Sequence, residues 1–384
     1  MTCKIATFRI LSLGFGVSLA AGAAGAAELP ESLAWTAYDV GSSGYSQAVA
    51  IGSALKNEQG VTLRVLPGKN DVSRLAPLRE GKVEFSAFGI GGYQALEASF
   101  VFGKREWGPQ QLRLLSMSNS DACNTIIWAG DVGIKTFADM KGKRLPIVKG
   151  APALNHLVYA YLRFADLTWD DIQLVEFGGY AASLEGVIEN KVDGAITITT
   201  AGMATKIVAG PRGHAYAPVP HDDKEGWARL LEAAPWFYKS MCIEGAGIEE
   251  PFEAASYPYP ILITYDTQDE DMTYAMTKAM YDLYPVYKDS APGASGWGLE
   301  KQIFDWVMPY HPGAIRYYEE IGKWTPEIQA NQDKLLQRQK VITDAWNTYL
   351  ESAPQEEAAF DEGWMKARAD ALTGAEMNPI WTTW

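Results

Sequence analysis

From residue 33 onward, short runs of apolar residues alternate with segments whose apolar residues recur every three or four positions. Runs at 33–40, 61–66 and 85–88 predict strands. The segments 48–56, with Val49, Gly52 and Leu55 on one face, and 71–80 predict the helices between them. Strands alternating with helices favour an α/β fold around a mostly parallel sheet. The pattern then restarts. Strands at 112–117 and 124–129 flank the polar stretch Ser118-Asn119-Ser120-Asp121, and strands at 144–148, 173–177 and 194–200 alternate with helices at 155–165 and 181–190. Gly210-Pro211-Arg212-Gly213 and the acidic loop His221-Asp222-Asp223 suggest a second crossing between units, followed by a strand at 261–265 and a helix at 271–283.

The two ends depart from this alternation. At the start, Lys4 and Arg9 precede an apolar run over 10–21, and Ala24-Gly25-Ala26 supplies small residues before Ala27. That order predicts a cleaved secretory signal over 1–26, with Ala27–Glu28 as the alternative cut. An apolar run of about 12 residues is too short for the roughly 20 that span a bilayer. The expected product is exported and soluble. Near the other end, Leu335, Ile342, Trp346 and Tyr349 share one helical face, and Phe360, Trp364, Ala367 and Ala371 repeat the pattern beyond Pro354. Residues 324–384 therefore read as a helical appendage, either a stabilising cover or a docking surface.

Composition narrows the function. The 384 residues carry 33 Lys plus Arg against 47 Asp plus Glu, a net charge of −14, which excludes a nucleic-acid partner that needs a clustered basic surface. Of three cysteines, Cys3 leaves with the signal; Cys123 and Cys242 remain as a permitted disulfide or as two buried thiols. His156, His214, His221 and His311 are too scattered for a metal site, and no cofactor is expected. Neither Gly41-Ser42-Ser43-Gly44 nor Gly293-Ala294-Ser295-Gly296 has the spacing of a nucleophile elbow, and Gly89-Ile90-Gly91-Gly92 lacks the dinucleotide spacing. No catalytic signature stands out, so a binding protein is expected rather than an enzyme.

What remains is a set of polar strand-to-helix loops. Gly41-Ser42-Ser43-Gly44-Tyr45 offers backbone N–H groups and two hydroxyls at a helix start, Asn155 begins a later helix, and Thr199-Thr200 end a later strand. In open α/β sheets ligands collect beyond the carboxyl ends of strands, where all three lie.

Several segments together resemble the TAXI family of solute-receptor subunits of TRAP transporters. The most specific is the run from Tyr310-His311-Pro312-Gly313-Ala314 through Arg316-Tyr317-Tyr318. A weaker one runs from Gly133-Ile134-Lys135 to Lys141-Gly142-Lys143, and the residues 81–88, 186–195 and Pro235-Trp236-Phe237-Tyr238 follow in family order. The likeness covers residues 33–323, about three quarters of the chain. It implies a two-lobed, type II-like periplasmic binding fold: lobe I from 27–118 and 225–323, lobe II from 119–224, and the appendage beyond. It also implies a monomeric receptor that captures a small organic anion, such as a glutamate-like amino acid or a dicarboxylate, and passes it to TRAP permease subunits driven by an ion gradient. Ser42, Ser43 and Tyr45 would contact the ligand from one lobe and Asn155 and Thr199 from the other, with Asn119 and Trp236 near the crossings. The family's Gly-Ala-Pro-Gly-Ser-Gly-Thr is here Gly150-Ala151-Pro152-Ala153-Leu154-Asn155, which leaves Asn155 to replace a hydroxyl pair and points to a larger or less polar ligand. Delivery to an ABC importer is the alternative within the class. A secreted lyase or deaminase on the same scaffold is the alternative outside it.

Overall fold

The computed structural model describes residues 1–2 and 28–382. The expected signal over 1–26 lies, apart from Met1 and Thr2, outside the described residues. The first unit opens with β1 (Ser32–Ala37), α1 (Ser43–Gln59), β2 (Thr62–Pro67), α2 (Asp71–Arg79), β3 (Phe85–Phe88), α3 (Gly91–Leu96) and β4 (Leu112–Met117). The second holds β5 (Asn124–Ala129), β6 (Arg144–Val148), α4 (Pro152–Phe164), β7 (Gln173–Phe177), α5 (Tyr180–Ile188), β8 (Gly194–Ile198), α6 (Gly202–Val208), β9 (His214–Ala215), α7 (Lys224–Ala233), β10 (Tyr238–Cys242) and β11 (Phe252–Ser256). The chain then returns through β12 (Ile261–Tyr265), α8 (Glu270–Asp282), α9 (Tyr284–Tyr287) and α10 (Pro312–Glu320).

Lobe I is built on one sheet in the order β2-β1-β3-β12-β4. Strands β1, β2 and β3 run parallel, whereas β12 is antiparallel to both β3 and β4. The sheet is therefore mixed, because its fourth position is filled by the returning chain. Phe85, Phe88, Leu112, Leu114, Ile261 and Ile263 are fully buried, as expected of strands covered on both faces. Lobe II pairs β8-β5-β9, β6-β7 and β10-β11.

The second crossing differs from expectation. Helix α7 packs against α4, β9 pairs with β5, and the Val219 N–H donates to Glu253 O. Residues 225–256 thus belong with lobe II, and the chain returns at 257–260 rather than near 225. The Gly-Pro signal at 210–213 marks only the turn between α6 and β9.

Cys123 and Cys242 are bonded, with Cα atoms 5.5 Å apart and 119 residues between them in sequence. The bridge ties the start of β5, just past the first crossing, to the end of β10. Replacing both cysteines by alanine is expected to lower the unfolding free energy in urea by about 2–5 kcal/mol, because a long loop of the unfolded chain is released.

The appendage forms two helices, α11 (Pro326–Leu350) and α12 (Glu357–Gly374). Trp346, Phe360 and Trp364 pack together between them, and the Trp364 indole donates to Ala98 O of lobe I at 2.7 Å. The Glu97 carboxylate of lobe I is gripped by Arg338 (2.6 and 2.8 Å) and by the fully buried Arg368. The appendage covers lobe I.

Candidate functional site

Strands β1 and β3 and helices α2 and α4 bring their ends to the junction between the lobes, and the lobes are drawn together there. The Val72 and Tyr180 N–H groups donate across the gap to Gly150 O and Lys69 O, each at 3.2 Å. On the other side, the Met203 N–H reaches Gly41 O at 3.2 Å, and the Thr200 hydroxyl reaches Ser43 Oγ at 3.2 Å. Between these seams lies an enclosed cavity of about 40 Å³, room for a few waters.

The cavity wall is aromatic and charged. Tyr38 and Arg74 come from lobe I, Tyr180 and Asn124 from lobe II, and Tyr257 and Tyr259 from the returning crossing. The Arg74 guanidinium lies 4.0 Å from the Tyr38 ring centre and 4.9 Å from that of Phe88. Arg74 also pairs with Asp71 one turn earlier, and both are buried. The other Asp71 oxygen accepts the Ala153 N–H at 3.0 Å, so a lobe I carboxylate sits on the first turn of α4 in lobe II. Burial pushes the Asp71 carboxyl up, against the opposing pull of Arg74 and the Ala153 N–H. Burial likewise raises the Tyr38 and Tyr180 hydroxyls, so both stay protonated donors.

Glycines make this crowding possible. A Cβ on Gly89 would sit 2.2 Å from the Tyr38 hydroxyl, and one on Gly44 would sit 2.6 Å from the Tyr38 ring. These residues leave room for the wall of the cavity.

Two residues that line the cavity each carry a donor with no partner among the described residues. Arg74 Nε and Asn124 Nδ2 are buried and make no hydrogen bond. An unsatisfied buried donor costs about 1–3 kcal/mol, more when charged, so an acceptor that reached either one would be favoured. A larger hollow of about 810 Å³ is walled by Phe100 of lobe I, by Asn155, Tyr159 and Trp169 of lobe II and by Trp381. None of the unpartnered buried polar atoms among the described residues lies on its wall. The interlobe cavity is the better candidate on chemistry, despite its size.

The seven residues expected from sequence lie elsewhere. Ser42 caps α1, donating to Asp39 O at 2.7 Å and accepting the Tyr45 N–H at 3.1 Å. Ser43 is held by Pro292 O and Gln47, and Thr199 by Glu244 O and Cys123 N. Asn155 sits inside α4, not at its start, and its amide closes on both Val148 N and Val148 O. Asn119 bonds Tyr238 and Lys301 O, Tyr45 packs against the core of lobe I, and Trp236 is buried in an aromatic cluster. None of the seven lines the interlobe cavity. Their polar groups stitch loops and seams together. Asp71 and Arg74 carried a readable signal: they share the face of α2 that also buries Leu75 and Leu78, where charges are out of place.

Several solved structures resemble the chain. An ancestral arginine-binding protein bound to arginine is 13% identical, covering 76% of this chain and 99% of its own, with a TM-score of 0.43. The periplasmic aliphatic sulphonate binding protein SsuA of Escherichia coli is 16% identical, covering 91% and 89%, with a TM-score of 0.42. The alkanesulfonate-binding protein SsuA of Xanthomonas axonopodis pv. citri, bound to MOPS, is 14% identical, covering 87% and 98%, with a TM-score of 0.43. Residues 37–322, which take in both lobes, both crossings and the cavity between them, match the NMT1-like family, and the chain belongs to that family.

Proposed function

We infer that the protein is an exported solute receptor that closes on a small organic anion between its lobes and delivers it to the membrane subunits of a TRAP importer. The observation that carries the capture step is that Arg74 of lobe I and Asn124 of lobe II, which line a single cavity, each hold a buried donor without a partner, Nε and Nδ2. A ligand carboxylate or carbonyl joining them would bond both lobes at once and so favour closure. Asp71 already neutralises Arg74, which suits a singly charged acceptor better than a dicarboxylate. At about 40 Å³ the space between the tyrosines, Ile90, Leu154 and Leu157 admits a group no larger than a carboxylate. The TRAP assignment rests on the TAXI resemblance, and export on the Lys4, Arg9 and apolar 10–21 pattern.

A thermal-shift panel of monocarboxylates, amino acids, dicarboxylates, keto acids and sulfonates tests the capture step on residues 27–384. A ligand at 100 times its Kd is expected to add about 2.7 kcal/mol of stability. A shift with a monocarboxylate, without turnover, supports the reading. A flat response to every anion, with a shift from a cation or an uncharged apolar solute, overturns it.

A further inference from the structure

The appendage is fastened to lobe I, but Trp381 in its tail meets residues of lobe II. Arg338 and Arg368, besides holding Glu97, donate to the carbonyls of Asn378 (2.8 Å), Pro379 (3.0 Å) and Trp381 (3.1 Å). The tail is thereby fixed from the lobe I side up to Trp381. The indole then crosses over. Its Nε1 donates to Ala233 O, 3.1 Å away at the end of α7 in lobe II, where His156 Nε2 also lies at 2.7 Å. Its ring meets Tyr93 and Phe100 of lobe I at 5.9 and 5.1 Å, and His156 and Trp236 of lobe II at 5.2 and 5.8 Å. Only 5% of Trp381 is exposed. A side chain anchored from one lobe is thus inserted among the aromatic rings of both, outside the interlobe cavity.

The geometry points to Trp381 as a clasp between the lobes, a positioning residue that favours the closed form and slows ligand exchange. Any rotation that parts α3 from α4 must either draw the indole off Trp236 and His156 and break its bond to Ala233, or strip it from Tyr93 and Phe100. Each route exposes apolar ring surface and separates favourable edge-to-face pairs. The crossings at 118–123 and 257–260 join the lobes covalently and the seams add hydrogen bonds between them; the clasp adds a further link, made by ring packing and one hydrogen bond. A group that contacts both lobes only when they are together shifts the open–closed equilibrium toward closure by its differential interaction, whether or not ligand is present.

Amide hydrogen exchange on the unliganded full chain tests this. The N–H groups of Val72, Ala153, Tyr180 and Met203 bond across the seams and are protected there while the lobes stay together. In Trp381→Ala their exchange is expected to quicken about tenfold or more, and in Trp381→Phe by a smaller factor, while amides within β3, β4 and β5 keep their wild-type rates. Unchanged exchange at the four seam amides in a folded variant overturns the clasp, and so does an equal quickening throughout both lobes. Should Trp381→Ala fail to fold, Trp381→Phe, which keeps an aromatic ring but loses the bond to Ala233, decides by the same comparison. No ligand enters the measurement, so its outcome is independent of the capture reading.

Discussion

Replacing Arg74 by methionine is expected to weaken binding of the cleft ligand by about 10- to 150-fold, the worth of one hydrogen bond to a charged group. The same change strands Asp71 as a buried carboxylate, which costs about 3–5 kcal/mol of stability near neutral pH. The two effects separate in the double variant Asp71→Asn/Arg74→Met. It has no stranded charge and recovers most of the stability, yet it stays poor at binding. The pH dependence follows from the direction of the Asp71 shift. Burial already raises this carboxyl, and loss of Arg74 removes the largest opposing pull. An acid whose folded pKa is raised penalises the fold above that pKa and ceases to do so as the pH falls through it. The deficit of Arg74→Met in urea melts is therefore expected to shrink from about pH 7 toward about pH 4. A constant deficit would mean that the lost contact is packing against Tyr38, not charge.

Replacing Glu97 by alanine is expected to be the most damaging single change outside the cleft. It leaves the guanidinium groups of Arg338 and Arg368 without their shared carboxylate, at a cost of about 3–5 kcal/mol or more. The loss should be local first: early proteolytic cuts within α11 and α12, before the sheet of lobe I opens. Glu97→Gln keeps an acceptor and should lose less. The two guanidinium groups hold the Glu97 carboxyl below its usual value in spite of burial. The stabilisation it provides is present above the unfolded carboxyl pKa and is lost as the pH falls through the lowered one, so the gap between wild type and Glu97→Gln closes in acid.

The strands were legible because most are buried on both faces. The runs at 85–88, 112–117, 124–129, 144–148 and 261–265 are continuous apolar stretches or nearly so, and the structure has strands over the same residues. The return crossing was not legible. Strand β10 alternates between covered and exposed residues, and nothing local distinguishes a strand that stays in lobe II from one that leaves it. The lining of the interlobe cavity is hidden for a related reason. Hydroxyls at strand ends look available in sequence, yet Ser42 is consumed by its own capping turn, and Ser43 and Thr199 by backbone groups 249 and 45 positions away. Asp71 and Arg74 stand on the apolar face of α2, which the spacing shows, but not how deep they lie. Their depth depends on the approach of Ala153 from 82 positions away. The appendage was read correctly as two helices from its spacing, but the crossing of Trp381 to lobe II could not be seen in a pattern that records only local faces.

The place of β12 inside the lobe I sheet bears on the order in which the molecule can assemble. Lobe II is one unbroken stretch from β5 to β11, whereas β3 and β4 have no strand between them until residues 261–265 arrive. Glu97 waits longer still, for partners 241 and 271 positions downstream. The lobe begun first is therefore finished last, after an inserted unit that can condense by itself. Such distant pairings slow folding, since loop-closure entropy is lost before the contacts repay it. A chain emerging from its N-terminus thus stays incompletely folded until nearly all of it has been made, a state in which it can still be threaded through a narrow channel.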